Sequence, residues 1–164
     1  MRMGIGYDIR ALKRGRRLVL GGVEIPHGKG LAGHSDGDAL WHAVLDAVLG
    51  AMGEGDIGEL FPDTDPSHRG VAGAVFAREV ATRLKRRRLR VAHVDSVVIA
   101  EAPKLGAFKR RIRESLARPR TAGFACRHEG QDQRRVRGRR KEKGHRLPRG
   151  RGPRSRSIGV AWKP

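Results

Sequence analysis

A chain of 164 residues with a net charge of +19 is long enough to bury one hydrophobic core, and its charge suggests an acidic partner such as nucleic acid. The charge is uneven, because residues 117–164 hold 16 Lys and Arg against 3 Asp and Glu. The single cysteine, Cys126, excludes an internal disulfide and a cysteine-based zinc site. No apolar run reaches the ~20 residues that cross a membrane. The N-terminus lacks the apolar core of a secretory signal, so we expect a cytoplasmic protein.

The first elements are short strands. Residues 2–7 predict a strand that ends at Asp8, where a loop begins. Two apolar runs flank Gly21-Gly22, and this pattern is typical of a two-residue β-hairpin.

A long apolar helix is predicted next. Ser35 followed by Asp38 has capping-box spacing, so the helix is expected to start at Ser35 and to run over residues 35–52. Asp38, His42 and Asp46 interrupt its apolar surface at intervals of four and therefore share one narrow stripe. Two interpretations stay open: a solvent-exposed strip on a core helix, or a site where the buried polar groups are paired or bind a ligand such as zinc.

The remaining elements alternate between helix and strand. Residues 61–67 predict a turn-rich loop, residues 71–88 a helix with a cationic end, and residues 91–103 a strand stopped by proline. A further helix is expected to reach Ala117. This order predicts an α/β (α+β) two-layer sandwich, with a mixed sheet and helices packed on one face.

Several polar groups would meet near the start of the long helix. His34 and Ser35 would lie at its N-terminus, where free backbone N–H groups favour phosphate. Further polar groups come from the loops 56–58 and 61–65 and from Lys104, at another predicted helix start. Together these features indicate a phosphate-handling site with a metal.

Four stretches carry a family resemblance. The sequences "GYD" at 6–8, "HSDGD" at 34–38 followed by His42, "GDIGELFPDTDP" at 55–66 and "APKL" at 102–105 resemble the 2-C-methyl-D-erythritol 2,4-cyclodiphosphate synthases of the non-mevalonate isoprenoid pathway. The resemblance covers residues 1 to about 117. It implies the conversion of 4-diphosphocytidyl-2-C-methyl-D-erythritol 2-phosphate into the cyclic diphosphate and CMP. The substrate's own 2-phosphate would be the nucleophile, so the protein would act by positioning and charge neutralisation.

The resemblance also implies the roles of individual residues. Asp8 and His42 are expected to bind zinc, with Asp38 and Asp46 supporting them from behind. His34 is expected to position phosphate as the catalytic group, together with Ser35. Magnesium or manganese would bridge the phosphates, and a homotrimer would form its active sites between subunits. The substrate-binding residues would be Asp8, Arg10, His34, Ser35, Asp56, Ile57, Gly58, Phe61, Pro62, Asp63, Thr64 and Asp65, with a cytidine pocket from a neighbouring subunit at Ala100, Glu101, Ala102, Pro103, Lys104, Leu105 and Gly106.

The chain departs from the family pattern at residue 10. The family motif reads Gly-Tyr/Phe-Asp-x-His, and its histidine is the third zinc ligand, whereas this chain has Arg10. A guanidinium stays protonated and has no lone pair for zinc. Two ligands are fewer than a catalytic zinc site normally keeps, so weakened zinc binding is expected. Direct contact between Arg10 and the substrate phosphates is the alternative.

The second departure is the tail, residues 118–164. It lacks helix or strand periodicity and the family's C-terminal motifs, which is typical of a disordered basic segment. Codons available for residues 130–134, read one base later, can encode Ala-Lys-Thr-Asn and an acidic residue, and those for residues 144–150 can encode Gly-Ile-Ala-Cys-His-Ala-Val, as the family has there. We therefore predict an incomplete synthase-like domain over 1–117 followed by a frameshifted tail. The alternative is an inactive relative whose Arg-rich tail binds nucleic acid non-specifically.

Overall fold

The computed structural model describes residues 2–117 and 157–161. These form an α+β fold of six strands and four helices, with single 3-10 turns at Pro66–His68 and Gly106–Phe108. The strands are β1 Tyr7–Arg14, β2 Leu18–Leu20, β3 Val23–Ile25, β4 Lys29–Leu31, β5 Val97–Ile99 and β6 Ser157–Ala161. The helices are α1 Ala39–Met52, α2 Ile57–Leu60, α3 Gly73–Arg86 and α4 Lys109–Leu116.

Four strands form the main sheet in the order β4-β1-β6-β5. Every described pairing is antiparallel, so the predicted mixed sheet is wrong for this part of the chain. Asp8 lies within β1 opposite Val160, and not at the end of a strand as the sequence suggested. The predicted hairpin is confirmed: β2 and β3 pair through Gly21 and Gly22, both with positive φ, which glycine adopts without a Cβ penalty.

β6 corrects the expectation that no regular element follows Ala117. All five of its residues pair with β1 on one side, and Gly159, Val160 and Ala161 pair with β5 on the other, so β6 lies in the middle of the sheet. The rest of the tail, residues 118–156 and 162–164, lies outside the described residues, and so do its predicted disorder and nucleic-acid binding.

Helix α1 begins four residues later than the sequence predicted. Asp38, not Ser35, is its N-cap, and its carboxylate accepts hydrogen bonds from the backbone N–H groups of Leu40 and Trp41. The helix ends at Met52 and is capped by Gly53, whose left-handed conformation lets its N–H donate to the Gly50 carbonyl. The predicted helix boundaries at 71–88 are right within two residues of α3, whereas β5 is much shorter than the strand predicted over 91–103.

The core lies between the sheet, the hairpin and the helices. Helix α1 packs against β1, β2, β6 and α3 and supplies much of the apolar interior. At Gly4 and Gly6 the chain that leads into β1 touches the backbone of α1, and a Cβ at either residue would collide with it. The fully buried large residues are Leu18, Leu20, Ile25, Leu31, Leu40, Trp41, Leu45, Leu49 and Val80. No helix among the described residues is long and apolar enough to cross a membrane.

Candidate active site

A polar cavity of about 290 Å³ opens between β1, the N-terminal half of α1 and the loops that follow α1. Alternation along β1 places Asp8 and Arg10 on the face toward His42 of α1. Eleven of the 22 residues that the sequence assigned to the site meet here. The lining consists of Tyr7, Asp8, Arg10, His34, Ser35, His42, Asp46, Asp56, Ile57, Gly58, Phe61, Asp63, His68 and Phe76.

Arg10 joins the two residues expected to bind zinc. Its Nε donates to Asp8 Oδ2 at 2.6 Å, and its Nη2 lies 2.7 Å from His42 Nδ1. The side chains of Asp8 and Arg10 are each 16% exposed, so this contact is largely shielded from water. Asp8 and His42 therefore both contact Arg10, whose guanidinium stands between them.

The donor atoms do not fit a zinc ion in this arrangement. An arginine only donates hydrogen bonds, so His42 Nδ1 must accept from it with the lone pair that a metal would need. No group of three or more His, Cys, Asp and Glu suited to a metal is found among residues 2–117. Burial, followed by the positive charge of Arg10, lowers the pKa of His42 and keeps the imidazole neutral.

Ser35 and His34 sit on the loop that leads into α1. Ser35 is buried, its Oγ accepts from the Gly37 N–H at 3.3 Å, and it lies 3.4 Å from His42 Nε2. His34 is mostly exposed, and its Nδ1 is 3.1 Å from Asp63 Oδ2. The loop thus holds the histidine at the mouth of the cavity and the serine inside it. Arg16, which sequence reasoning missed, donates to the Ser35 carbonyl at 2.9 Å and fixes this loop.

Asp38, His42 and Asp46, which were expected to share one stripe, have different environments. Asp38 points away from the cavity and, besides capping α1, accepts from the N–H groups of Gly21 and Gly22 at 2.8 and 2.6 Å. Complete burial raises the pKa of Asp38 to about 6, although these N–H donors oppose the shift. Asp46 lines the cavity and accepts from the Ile57 N–H at 2.8 Å; burial raises its pKa as well. The three residues therefore do not form one stripe: Asp38 contacts the hairpin, whereas His42 and Asp46 line the cavity.

The predicted substrate loops follow α1 on the far side of the cavity. Asp56 caps α2 by accepting from the Glu59 N–H at 2.8 Å, and Asp65 caps the next 3-10 turn in the same way. A hydrogen bond from Ser67 lowers the pKa of Asp65. Thr64 and Pro62 belong to the same loop, and the Pro62 carbonyl lies 3.0 Å from His68 Nδ1.

An aromatic cluster supports these loops and was missed from the sequence. The rings of Phe61 and Phe76 lie 4.5 Å apart, His68 contacts both edge-on, and His42 meets Phe76 edge-on at 6.4 Å. Phe76 is on α3, far from any motif, so only the tertiary structure identifies it. This cluster forms the apolar wall of the cavity.

Residues 100–106 do not line this cavity. Ala102 instead borders a separate hollow beside Leu12, Arg14 and Lys29, and Lys104 is exposed ahead of a 3-10 turn and not at the start of an α-helix. The cytidine pocket predicted in this segment is therefore not part of this cavity.

The fold and the cavity define an α+β enzyme with a polar site between its sheet and its central helix. The chain belongs to the YgbB family, whose model matches residues 1–123. This confirms the family resemblance that the motifs indicated.

Named relatives agree with this assignment. The 2-C-methyl-D-erythritol 2,4-cyclodiphosphate synthase of Syntrophomonas wolfei is 51% identical over 118 residues, which is 72% of this chain and 75% of the relative. That of Caldicellulosiruptor bescii is 46% identical over 116 residues, which is 71% of this chain and 74% of the relative.

Solved structures agree as well. A 2-C-methyl-D-erythritol-2,4-cyclodiphosphate synthase superposes with a TM-score of 0.71 and 33% identity, covering 98% of this chain and 97% of the other. The Plasmodium falciparum protein IspF, in complex with CDP, gives a TM-score of 0.60 and 34% identity, covering 71% of this chain and 70% of the other.

Proposed function

We propose that this chain is a phosphorus–oxygen lyase of the non-mevalonate isoprenoid pathway. It converts 4-diphosphocytidyl-2-C-methyl-D-erythritol 2-phosphate into 2-C-methyl-D-erythritol 2,4-cyclodiphosphate and CMP. The observation that carries this proposal is the match to synthases at about half identity over the residues that line the cavity. The CDP complex of a related structure supports a diphosphocytidyl ligand. The comparisons do not favour a decayed, nucleic-acid-binding relative.

In the proposed reaction the protein supplies no nucleophile. An oxygen of the substrate's 2-phosphate bonds to the β-phosphorus, and the bond from that phosphorus to the CMP oxygen breaks, so CMP leaves with the electron pair. His34 at the mouth of the cavity and Ser35 within it orient the phosphates. The 56–58 and 61–65 loops hold the methylerythritol part. Positioning of this kind can contribute several kcal/mol to the barrier reduction, about 7–11 in well-oriented model reactions.

A divalent cation that travels with the diphosphate, magnesium or manganese, remains part of this proposal. It would neutralise phosphate charge when bound. The cavity's hard carboxylate oxygens, from Asp8, Asp46 and Asp56, are of the type these ions prefer.

A homotrimer is also proposed, and the outer face of the sheet supports it. Tyr7 and Val97 both pair with position 161, and Ile9 and Ile99 both pair with position 159, so the four side chains share one face. All are exposed, Ile9 at 56% and Ile99 at 63%. An apolar strip on the face opposite α1 is typical of a subunit interface. In the proposed trimer, the 100–106 segment of one subunit would supply the cytidine pocket of the next.

The test compares two histidine variants for CMP release from the diphosphocytidyl substrate, measured by chromatography with magnesium present. His34→Ala should lower kcat by about 100-fold or more, since a group that positions the reacting phosphate is lost. His93→Ala, at an exposed residue outside the cavity, should match the unmodified chain. Equal activity of the two variants would contradict the assigned role of His34, and no CMP release by any form would contradict the proposed function.

A further inference from the structure

Arg10 is built into the space between Asp8 and His42. A third N–H group, on Nη1, donates to the Ala32 carbonyl at 3.2 Å, so three separate acceptors fix the guanidinium plane. Gly33 completes the fit, since a Cβ there would collide with Nη1. Because the Arg10 side chain is 16% exposed and bonded to three acceptors, its displacement from this position would be costly.

The charge of the cavity depends on this residue. Among the described residues that line it, Arg10 alone carries a permanent positive charge, against the four carboxylates of Asp8, Asp46, Asp56 and Asp63. A phosphorylated ligand therefore meets its fixed positive charge at the guanidinium. Arginine N–H groups are well suited to phosphate oxygens, and Arg10 has five such groups, of which three make the bonds described above.

We infer that this site replaces zinc with a side-chain cation: Arg10 excludes zinc and binds the diphosphate of the ligand directly. The ligand class rests on the proposed function, whereas the exclusion of zinc rests on the contacts of Arg10 alone. Magnesium carried by the ligand is compatible with this arrangement, because it need not use His42 Nδ1.

The first experiment measures zinc in the folded full-length protein after incubation with zinc and extensive dialysis. The unmodified chain should retain little zinc, and Arg10→His should retain close to one zinc per chain, because Asp8, His42 and the new histidine complete a three-residue ligand set. Arg14→His, at an exposed position of the same strand, is the matched control and should behave like the unmodified chain. Stoichiometric zinc in the unmodified chain, or none gained by folded Arg10→His, would overturn the inference.

The second experiment measures pyrophosphate binding by calorimetry, with magnesium present and with or without a zinc-selective chelator. The chelator should leave the unmodified chain unchanged but weaken binding by zinc-loaded Arg10→His. Arg10→Ala should bind pyrophosphate about 10- to 100-fold more weakly, as expected when a charge-assisted contact is lost, and Arg14→Ala should not. The Arg14 variant also controls for binding by other basic residues. Chelator-sensitive binding by the unmodified chain, or a loss below about tenfold in Arg10→Ala, would refute direct binding.

These readouts are separate from catalysis. If the chain releases no CMP but excludes zinc and binds pyrophosphate through Arg10, the proposed function fails and the inference stands. If it releases CMP while holding zinc, the reverse is true. Circular dichroism of each variant shows that it is folded before either comparison is made.

Discussion

The contact between Gly6 and helix α1 sets the distance between the strand that carries Asp8 and Arg10 and the helix that carries His42. A Cβ at residue 6 would lie 2.8 Å from the Ala47 nitrogen and would overlap the Ala43 carbonyl oxygen. Both are backbone atoms inside a helix, so neither can rotate away. We predict that Gly6→Ala forces the two elements apart.

The expected cost follows from this overlap. Overpacking of a tight interior typically costs about 1–3 kcal/mol, and a small part is offset because alanine restricts the unfolded chain. Gly50 is the matched control: it lies on the exposed side of α1, and a Cβ there meets nothing within 4 Å. Gly50→Ala should therefore stabilise the fold by about 0.5–1 kcal/mol. The two substitutions are chemically identical, but they should change the free energy of unfolding in opposite directions.

The assay is urea unfolding followed by helical circular dichroism, at one protein concentration because self-association would add to the measured stability. Gly6→Ala should also lower CMP release, since it displaces Asp8 and Arg10 relative to His42. A Gly6→Ala variant as stable as Gly50→Ala would refute the argument that this contact fixes the spacing of the site.

Four further predictions concern the helix cap, the pH dependence of stability, the sheet face and the tail. Asp38→Ala removes four N–H contacts and should destabilise the fold by about 2–4 kcal/mol in urea unfolding, against about 1 kcal/mol for Asp56→Ala at a single-bond cap. Burial raises the pKa of Asp38 from 3.8 to about 6, so between these pH values the folded chain keeps a proton that the unfolded chain has lost. The contribution of Asp38 to the unfolding free energy should therefore fall by about 3 kcal/mol as the pH rises through this range. The Asp38→Ala variant should show no such fall. Ile9→Lys should shift the protein from trimer toward monomer in light scattering, whereas Glu24→Lys on an exposed hairpin position should not; a monomeric unmodified chain would contradict the proposed trimer. Resequencing the source gene should reveal a one-base shift near codon 118, and a gene that encodes residues 118–164 as given would show the frameshift prediction to be wrong.

The sequence predicted the family and 11 of the 14 residues that line the cavity, because these lie in short local motifs. "HSDGD" and "GDIGELFPDTDP" can be recognised without knowledge of the fold. The structure places His34, Ser35 and Asp56 from these motifs at one cavity. The hairpin at Gly21-Gly22 was equally local, since a two-residue turn with positive φ at both positions strongly favours glycine.

Long-range contacts account for what the sequence did not predict. Capping-box spacing favoured Ser35 as the N-cap of α1. Asp38 takes this position instead, because its carboxylate also accepts from two N–H groups of a hairpin that is distant in sequence. Phe76 enters the site through the packing of α3 on α1. β6 has too little periodicity to be recognised, and its place between β1 and β5 depends on strand pairing. Arg10 fills the gap between Asp8 and His42 because Gly33 leaves room for it and the Ala32 carbonyl accepts a hydrogen bond from it. No sequence motif connects these two residues to Arg10.

Phosphorus NMR of the unmodified chain with its substrate, magnesium and a zinc-selective chelator tests catalysis and zinc independence together. We expect the substrate signals to be replaced by those of the cyclic diphosphate and CMP, in equal amounts and at the rate seen without the chelator. Conversion that stops when zinc is removed would contradict the role assigned to Arg10, and a folded chain that forms no cyclic diphosphate under either condition would contradict the synthase activity itself.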